Sequence, residues 1–318
     1  MDWMAVAAEL AEDFRQQAQR ADRSWKLVAE QVTRLAASGL YRELVKAERA
    51  ERFDYLELMS SACGVTTFVS SQHESACRRV AGTPLESEFL PEWTSGRRLA
   101  GICFAHVRRP RVDVEAWLEG DRLRFRGTAP WFTGWGLMQD VVVAGTTADG
   151  DFLFAVSELD RVKAGPIQSL CAMQASNTVA LELDLDLPAE RLLARVTRQQ
   201  LAGKDMANIV ANSARSLGVT RAALGLLPEP ELSDQYAKLR ERARDWDGGQ
   251  DGLEIRARAV RLGLLAAQAS LVASGGRGNS LDHPAQRLVR EAMFYSVTQL
   301  TRELGQTTIA TLLRACCD

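Results

Sequence analysis

The sequence predicts a multidomain α+β fold in three parts: an N-terminal helical domain (1–98), a central antiparallel β domain (99–188) and a C-terminal helical bundle (189–318). Three observations predict it. Apolar residues recur at helical spacing as far as about Ser95-Gly96, the spacing then switches to alternation with a period of two, and after Pro188 helical spacing returns. A chain of 318 residues also exceeds what a single core usually serves, so two or three packed units are expected.

The elements follow in order. Val6, Leu10 and Phe14 form the stripe of a first helix; Val28, Val32 and Leu35 form that of a second. Ser24 is placed to cap the second helix, and Gly39 to end it. A longer apolar helix is expected from about Phe53 to Val80, closed by Gly82 and Pro84, then a short one from Leu85 to Thr94. Leu99 to Val107 is a compact apolar run with β-branched and aromatic residues, and Asp121 to Arg126 alternates strictly, as a strand with one wet face does. Asp149-Gly150, between Val141-Val-Val-Ala-Gly and Phe152-Leu-Phe-Ala-Val, signals a hairpin. Thr178 to Asp186 alternates again, and Pro188-Ala189-Glu190 marks the exit from the β unit. Helices are then expected over Ala194–Leu224, crossed by Gly203 and Gly218, and over Glu231–Trp246 and Leu253–Ser274. The second half of that last helix is apolar almost all round and should be buried in a bundle; a final helix begins at Pro284.

Composition narrows the function. A net charge of -2 lacks the basic excess of a nucleic-acid protein. The start carries acids among its apolar residues, so it reads as neither a signal nor a transit peptide, and no apolar run reaches a membrane span; a cytoplasmic location is expected. Six cysteines lack metal spacing and read as reduced thiols, and with only three histidines no metal site is expected.

Two stretches carry more specific information. The first is Gly275-Gly276-Arg277-Gly278-Asn279-Ser280-Leu281-Asp282-His283-Pro284, running on to Arg290-Glu291-Ala292. It resembles, without a gap from Gly275 to Ala292, the Gly-Gly-x-Gly…Pro…Arg-Asp-Ala stretch of the acyl-CoA dehydrogenase family, with Glu291 in place of the aspartate. The second, Gly127-Thr-Ala-Pro-Trp131-Phe-Thr133-Gly134, resembles that family's Gly-x-Lys-x-Trp-Ile-Thr-Asn, whose tryptophan and threonine lie against a flavin. Residues two apart in a strand face one side, so Trp131 and Thr133 should project together: an indole is a flat apolar wall, and a hydroxyl can bond a ring nitrogen or oxygen. A core tryptophan beside a solvated threonine is the plain alternative.

The resemblance implies an FAD-dependent oxidoreductase acting on an acyl thioester or related small molecule, assembled as a homo-oligomer. It implies cofactor contacts at Val107, Trp131, Thr133, Gly275, Gly276 and Thr301. Departures from the pattern are as informative. Val107 or His106 stands where the family's Thr-Glu-Pro loop has threonine, in Phe104–Pro110, though backbone groups there can still bond a ligand. Leu226-Leu-Pro-Glu-Pro-Glu-Leu232 replaces an Arg-x-x-Phe-Gly motif that reaches a neighbouring subunit's cofactor, and Val272 replaces a glutamine. FMN, or no flavin, therefore stands beside FAD.

The dehydrogenation also needs a carboxylate to take an α proton. Extending the register from Pro284 puts Gln299 at the family's commonest base position, with Leu300-Thr301 following; if the helix continues, Leu288, Ala292, Tyr295 and Gln299 share one stripe. The alternative base position falls on Asn208, with Asp205 three residues away. An amide cannot be the base, so no catalytic residue is identified, and Glu291 and Glu303 read as solvated or ion-paired. His106 is the better-placed histidine for other chemistry, with a structural role the plain reading. The expected function is an acyl-CoA dehydrogenase-like oxidoreductase with a non-standard or absent base. A flavin monooxygenase on the same fold, or a non-catalytic homologue with a binding or assembly role, are the alternatives.

Overall fold

The computed structural model describes residues 2–108 and 113–314, without the side chains of 203–205. Six helices come first: α1 (Trp3–Ala21), α2 (Trp25–Ala37), α3 (Leu40–Lys46), α4 (Arg49–Ala62), α5 (Gly64–Val80) and α6 (Glu86–Thr94). Phe14, Val28, Val32 and Leu35 are buried as their spacing requires. Ser24 caps α2 by accepting from the Leu27 N–H, and Gly39 lies just past the end of that helix with φ 80°. The single helix expected over 53–80 is two helices, broken at Cys63, whose backbone is extended. The cause is tertiary: a Cβ at Gly64 would lie 2.5 Å from the Glu291 carboxylate carbon, so this point of the chain is set by a residue on the last-but-one helix.

Among the described residues the sheet has β1 (Ala100–Cys103), β2 (Val114–Glu119), β3 (Arg122–Phe132), β4 (Asp140–Thr146), β5 (Phe152–Glu158), β6 (Lys163–Ala164), β7 (Val179–Pro188) and β8 (Leu192–Val196). Their order is β6-β7-β3-β2-β4-β5-β8, with β1 beside β4. It is mostly antiparallel, not wholly so: β1 runs parallel to β4 from Asp140 to Val143, and β2 meets the other end of β4, also parallel, at Thr146. The β4–β5 hairpin turns at Asp149-Gly150 as its sequence requires. β7 alternates buried and exposed almost without fault, whereas β4 and β5 are buried along most of their length because helices cover one face and the rest of the core the other. The sheet also runs past Pro188, since β8 pairs with the free edge of β5.

The segment expected as one helix over 194–224 is therefore the end of β8 followed by α7 (Arg198–Ala211) and α8 (Ser213–Leu226), which meet at Asn212. Thr197 and Gln200 close a reciprocal cap at the start of α7. Then come α9 (Pro230–Arg244), α10 (Gly252–Ala273), α11 (Pro284–Val297) and α12 (Arg302–Leu313). α8 crosses α4 at Gly218, where a Cβ would stand 2.7 Å from the Glu57 carbonyl oxygen. One continuous core runs from α1 through the sheet to Leu288, Ala292 and Tyr295 on α11. The second half of α10 is not buried all round: Leu265 and Val272 face outward. Among the described residues no helix is long and apolar enough to cross a membrane.

Candidate functional site

α11 starts where the sequence places it, with Pro284 in its first turn and the His283 ring accepting from the Ala285 N–H at 3.3 Å. It stops at Val297. Thr298 takes an extended backbone while its hydroxyl donates to the Phe294 carbonyl at 2.9 Å, and Gln299 takes the left-handed conformation with φ 55°. The expectation that Gln299 would continue the stripe of Leu288, Ala292 and Tyr295 is thus overturned: those three are buried, and Gln299 is exposed on the turn to α12. Thr301 is the N-cap of α12, accepting from the Leu304 N–H at 3.2 Å.

Gln299 is held from the other side of the bundle. Its Oε1 accepts from the Asn212 side chain at 2.5 Å, and Asn212 is the junction of α7 and α8. Asn208, one turn earlier, has an exposed side chain; its carbonyl accepts from both the backbone and side-chain N–H groups of Asn212, at 3.0 and 2.7 Å. The two amide positions expected from sequence are therefore linked through a third amide. The Asp205 side chain lies outside the described residues.

Two guanidiniums back this cluster. Arg215 donates to the Asn212 side-chain oxygen. Arg256 donates to the Asn212 carbonyl at 3.0 Å, the Ser216 hydroxyl at 2.7 Å and the Tyr295 carbonyl at 2.6 Å. Arg215 is 8% and Arg256 1% exposed. Burial lowers the pKa of both, and for Arg256 burial and then the neighbouring Arg215 charge bring it down to about 9. Arg256 is accounted for as a clasp on the closing carbonyls of α7 and α11, where a cation is favourable. Nothing in the sequence marks either arginine, because the contacts that bury them are long-range.

Glu291 is not an available acid. It is 2% exposed, accepts from Arg287 at 2.5 Å and from the Gly64 N–H at 3.2 Å, and burial pushes its carboxyl above the usual range despite the arginine. Glu303 is exposed. His106 is buried, its Nε2 lying 2.9 Å from the Ala144 carbonyl.

On the sheet, Trp131 is 44% exposed while Phe132 is buried against Gly101. Thr133 does not share the face of Trp131. A register shift between Ala129 and Phe132 breaks the alternation, β3 ends at Phe132, and the buried Thr133 hydroxyl lies 2.9 Å from that of Thr178, itself 2.8 Å from that of Ser176. Val107 is buried in a short 3-10 turn, its N–H donating to the Phe104 carbonyl at 3.2 Å; Arg109 and Pro110 lie outside the described residues. Gly275 has φ 59° and closes α10, and a Cβ on either Gly275 or Gly276 would meet nothing within 4 Å. The glycine pair is therefore exposed, with open space beside it. Val272, three residues before it, is 71% exposed.

No protein-family model and no curated protein matches this chain. Solved structures do. The acyl-CoA dehydrogenase of Geobacillus kaustophilus is similar with a TM-score of 0.79 at 14% identity over 98% of each chain. Butyryl-CoA dehydrogenase of Megasphaera elsdenii gives 0.76 at 16% identity, again over 98% of each. The nitrososynthase of Micromonospora carbonacea var. africana gives 0.75 at 17% identity over 97% of this chain and 94% of that one. The helical layer, the mostly antiparallel central sheet and the C-terminal bundle together form the acyl-CoA dehydrogenase fold.

Proposed function

We propose that the protein is a flavin-dependent oxidoreductase of the acyl-CoA dehydrogenase type, taking an acyl thioester or related ligand, in which no carboxylate serves as α-proton base. The observation that carries this reading is the Gln299–Asn212 amide pair. With Oε1 of Gln299 accepting from Asn212, its exposed amide N–H groups are left to donate to a thioester carbonyl. They polarise that carbonyl and hold the acyl group in place. They cannot take a proton.

Two separate features support a flavin. Trp131 offers an exposed flat wall on β3, and the open glycines at 275 and 276 admit close approach. Thr133 is committed to Thr178, and exposed Val272 and Leu226 provide no polar group for a diphosphate, so FMN stands beside FAD. A bound flavin would supply hydride acceptance or oxygen activation. Oxygen chemistry is the second reading, favoured by Gln299 itself, because a monooxygenase needs no α-carbon base; similarity to a nitrososynthase agrees with it.

Colour tests the proposal. The purified protein, or the protein given FAD or FMN, should show a flavin spectrum, and Trp131→Ala should weaken flavin retention about tenfold, equivalent to about 1.4 kcal/mol. Bleaching by an acyl-CoA without oxygen supports the first reading; bleaching only by reduced nicotinamide, with oxygen-dependent turnover, supports the second. A protein that takes up neither flavin is a binding or assembly homologue, and both readings fall.

A second copy of the chain fits the apolar faces left open on the bundle: Leu265 and Val272 on α10, Met293 and Val297 on α11, and Ile309 and Leu313 on α12. Sedimentation should give a dimer or larger, and Val272→Glu should shift it toward monomer without unfolding. A wild-type monomer at micromolar concentration excludes the assembly.

A further inference from the structure

We propose that the groove between α9 and α10 is a binding site for a diphosphate, separate from the Gln299 turn and independent of the flavin and thioester readings. Lys238 and Arg242 stand one turn apart on α9, and Arg258 and Arg261 three residues apart on α10, so each helix turns a pair of cations to one side. The two helices pack together, and all four side chains line a hollow of about 320 Å³ with the buried Leu239 and Leu262 among its walls. Arg258 and Arg261 also line a second hollow, of about 210 Å³, together with Arg314 at the end of α12. These two arginines are therefore the ridge that both hollows share.

The charges of the groove are not balanced within the chain. Lys238 pairs with Asp234 at 2.7 Å, Arg242 with Asp251 at 2.7 Å and Arg258 with Glu254 at 3.5 Å. Those side chains are exposed or half-exposed, where an ion pair is worth little and is readily exchanged for a ligand. Arg261 has no such partner. Among the described residues it makes no hydrogen bond or ion pair, and its Nε–H is shielded from water without an acceptor. Arg314 pairs with no carboxylate among them either; its Nε donates to the Ala310 carbonyl of its own helix at 3.3 Å. A guanidinium with an idle, dry N–H and no counter-ion is a cost to the fold, and an anion held in the hollows supplies the counter-ion. Two hollows that share an arginine pair suit two linked anionic groups, one on each side of the ridge, and a guanidinium fork matches phosphate oxygens. A single carboxylate meets one side only. An isologous contact between two copies centred on the groove would set these cations against their own like, even though Leu265 on its wall belongs to the apolar face offered to a second copy.

Calorimetry with inorganic pyrophosphate, on the protein as purified and without added flavin or thioester, tests the site. Pyrophosphate should bind about tenfold or more tightly than sulfate, and binding should weaken several-fold as salt rises from about 50 to 200 mM. Arg261→Met should weaken it about tenfold, and Arg258→Gln, on an exposed side chain, about threefold. If Arg261→Met does not fold, Arg261→Lys serves: it keeps the charge, loses the fork and should weaken pyrophosphate about threefold. ADP in place of pyrophosphate separates the sources of the diphosphate, since tighter ADP points to an ester and tighter pyrophosphate to the free ion. Pyrophosphate bound no more tightly than sulfate, or bound within about twofold of wild type by all of these variants, overturns the site. So does sedimentation in which Arg261→Glu breaks up an assembly while wild type takes up no pyrophosphate, because the groove is then covered by a second copy.

Discussion

Glu291→Ala is expected to lower the unfolding free energy by about 3–5 kcal/mol, the range for breaking a buried ion pair by removing one partner. Arg287 lies one helical turn away on α11 and is likewise buried, with its Nε held by the Gln19 side-chain oxygen at 2.5 Å. Deleting the carboxylate strands that guanidinium in the interior, leaves the Gly64 N–H without its acceptor and opens a cavity where Gly64 has no side chain to fill it. Three elements meet at this point, α1 through Gln19, α5 through Gly64 and α11 through the pair itself, so the loss is felt across the joint between the N-terminal layer and the bundle. Glu291→Gln should cost less, because an amide oxygen still accepts from Gly64. Urea unfolding followed by circular dichroism checks both; a cost below about 1 kcal/mol for the alanine variant would show that the pair contributes little.

The same residue marks the limit of what the sequence discloses. Period-two alternation over Thr178–Asp186 was enough to place β7, and Asp149-Gly150 to place the β4–β5 hairpin, because those signals are local. The break at Cys63 was not legible. Its cause is a carboxylate 227 residues away in sequence, the Glu291 side chain that accepts from the Gly64 N–H. β8 was hidden likewise: Leu192–Val196 has no strand signature stronger than its helical one, and the open edge of β5 decides the matter. On α10, the apolar pattern predicts burial within the bundle. The outward-facing Leu265 and Val272 show that periodicity reports an apolar face without saying whether the chain itself covers it.

The site was legible in its chemistry and less so in its geometry. The register from Pro284 carried an amide, not an acid, to position 299, and the structure puts that amide against a second one. What failed was the helix assumed beneath it: nothing in Val297–Thr301 is glycine or proline, so no local signal announced the turn that lifts Gln299 off α11. Trp131 and Thr133 were separated for a related reason, since the bulge before Phe132 depends on the partner strand. Arg215 and Arg256 were invisible. In a sequence, an arginine within a helix reads as a wet face, and only the packed bundle shows which ones lie inside.

Stability should fall as pH drops from about 6.5 to 4, and His73 should account for one proton of that dependence. The ring is fully buried where α5, α6 and β1 meet: Nδ1 accepts from the Ala100 N–H at 2.9 Å and Nε2 lies 3.1 Å from the Trp93 carbonyl. Those partners require a neutral imidazole with its proton on Nε2. Burial brings the folded pKa down to about 4, against roughly 6.5 in the unfolded chain. A base with a depressed folded pKa gives its full contribution above the unfolded value and loses it as pH falls toward the folded one. The loss is about 2 kcal/mol by pH 5 and about 3 kcal/mol below pH 4. Between pH 6.5 and 5 most carboxylates stay ionised, and comparing urea midpoints in that window with a variant that cannot titrate there isolates the histidine. His73→Gln keeps a donor for Trp93 and cannot titrate; it should be less stable at pH 7 and have a flatter profile. An unchanged slope would assign the proton elsewhere. β1 carries Gly101, against which Phe132 packs, and Phe132 adjoins Trp131. Acid that loosens His73 therefore loosens the strand behind the tryptophan wall, and any bound flavin should be released along the same pH curve.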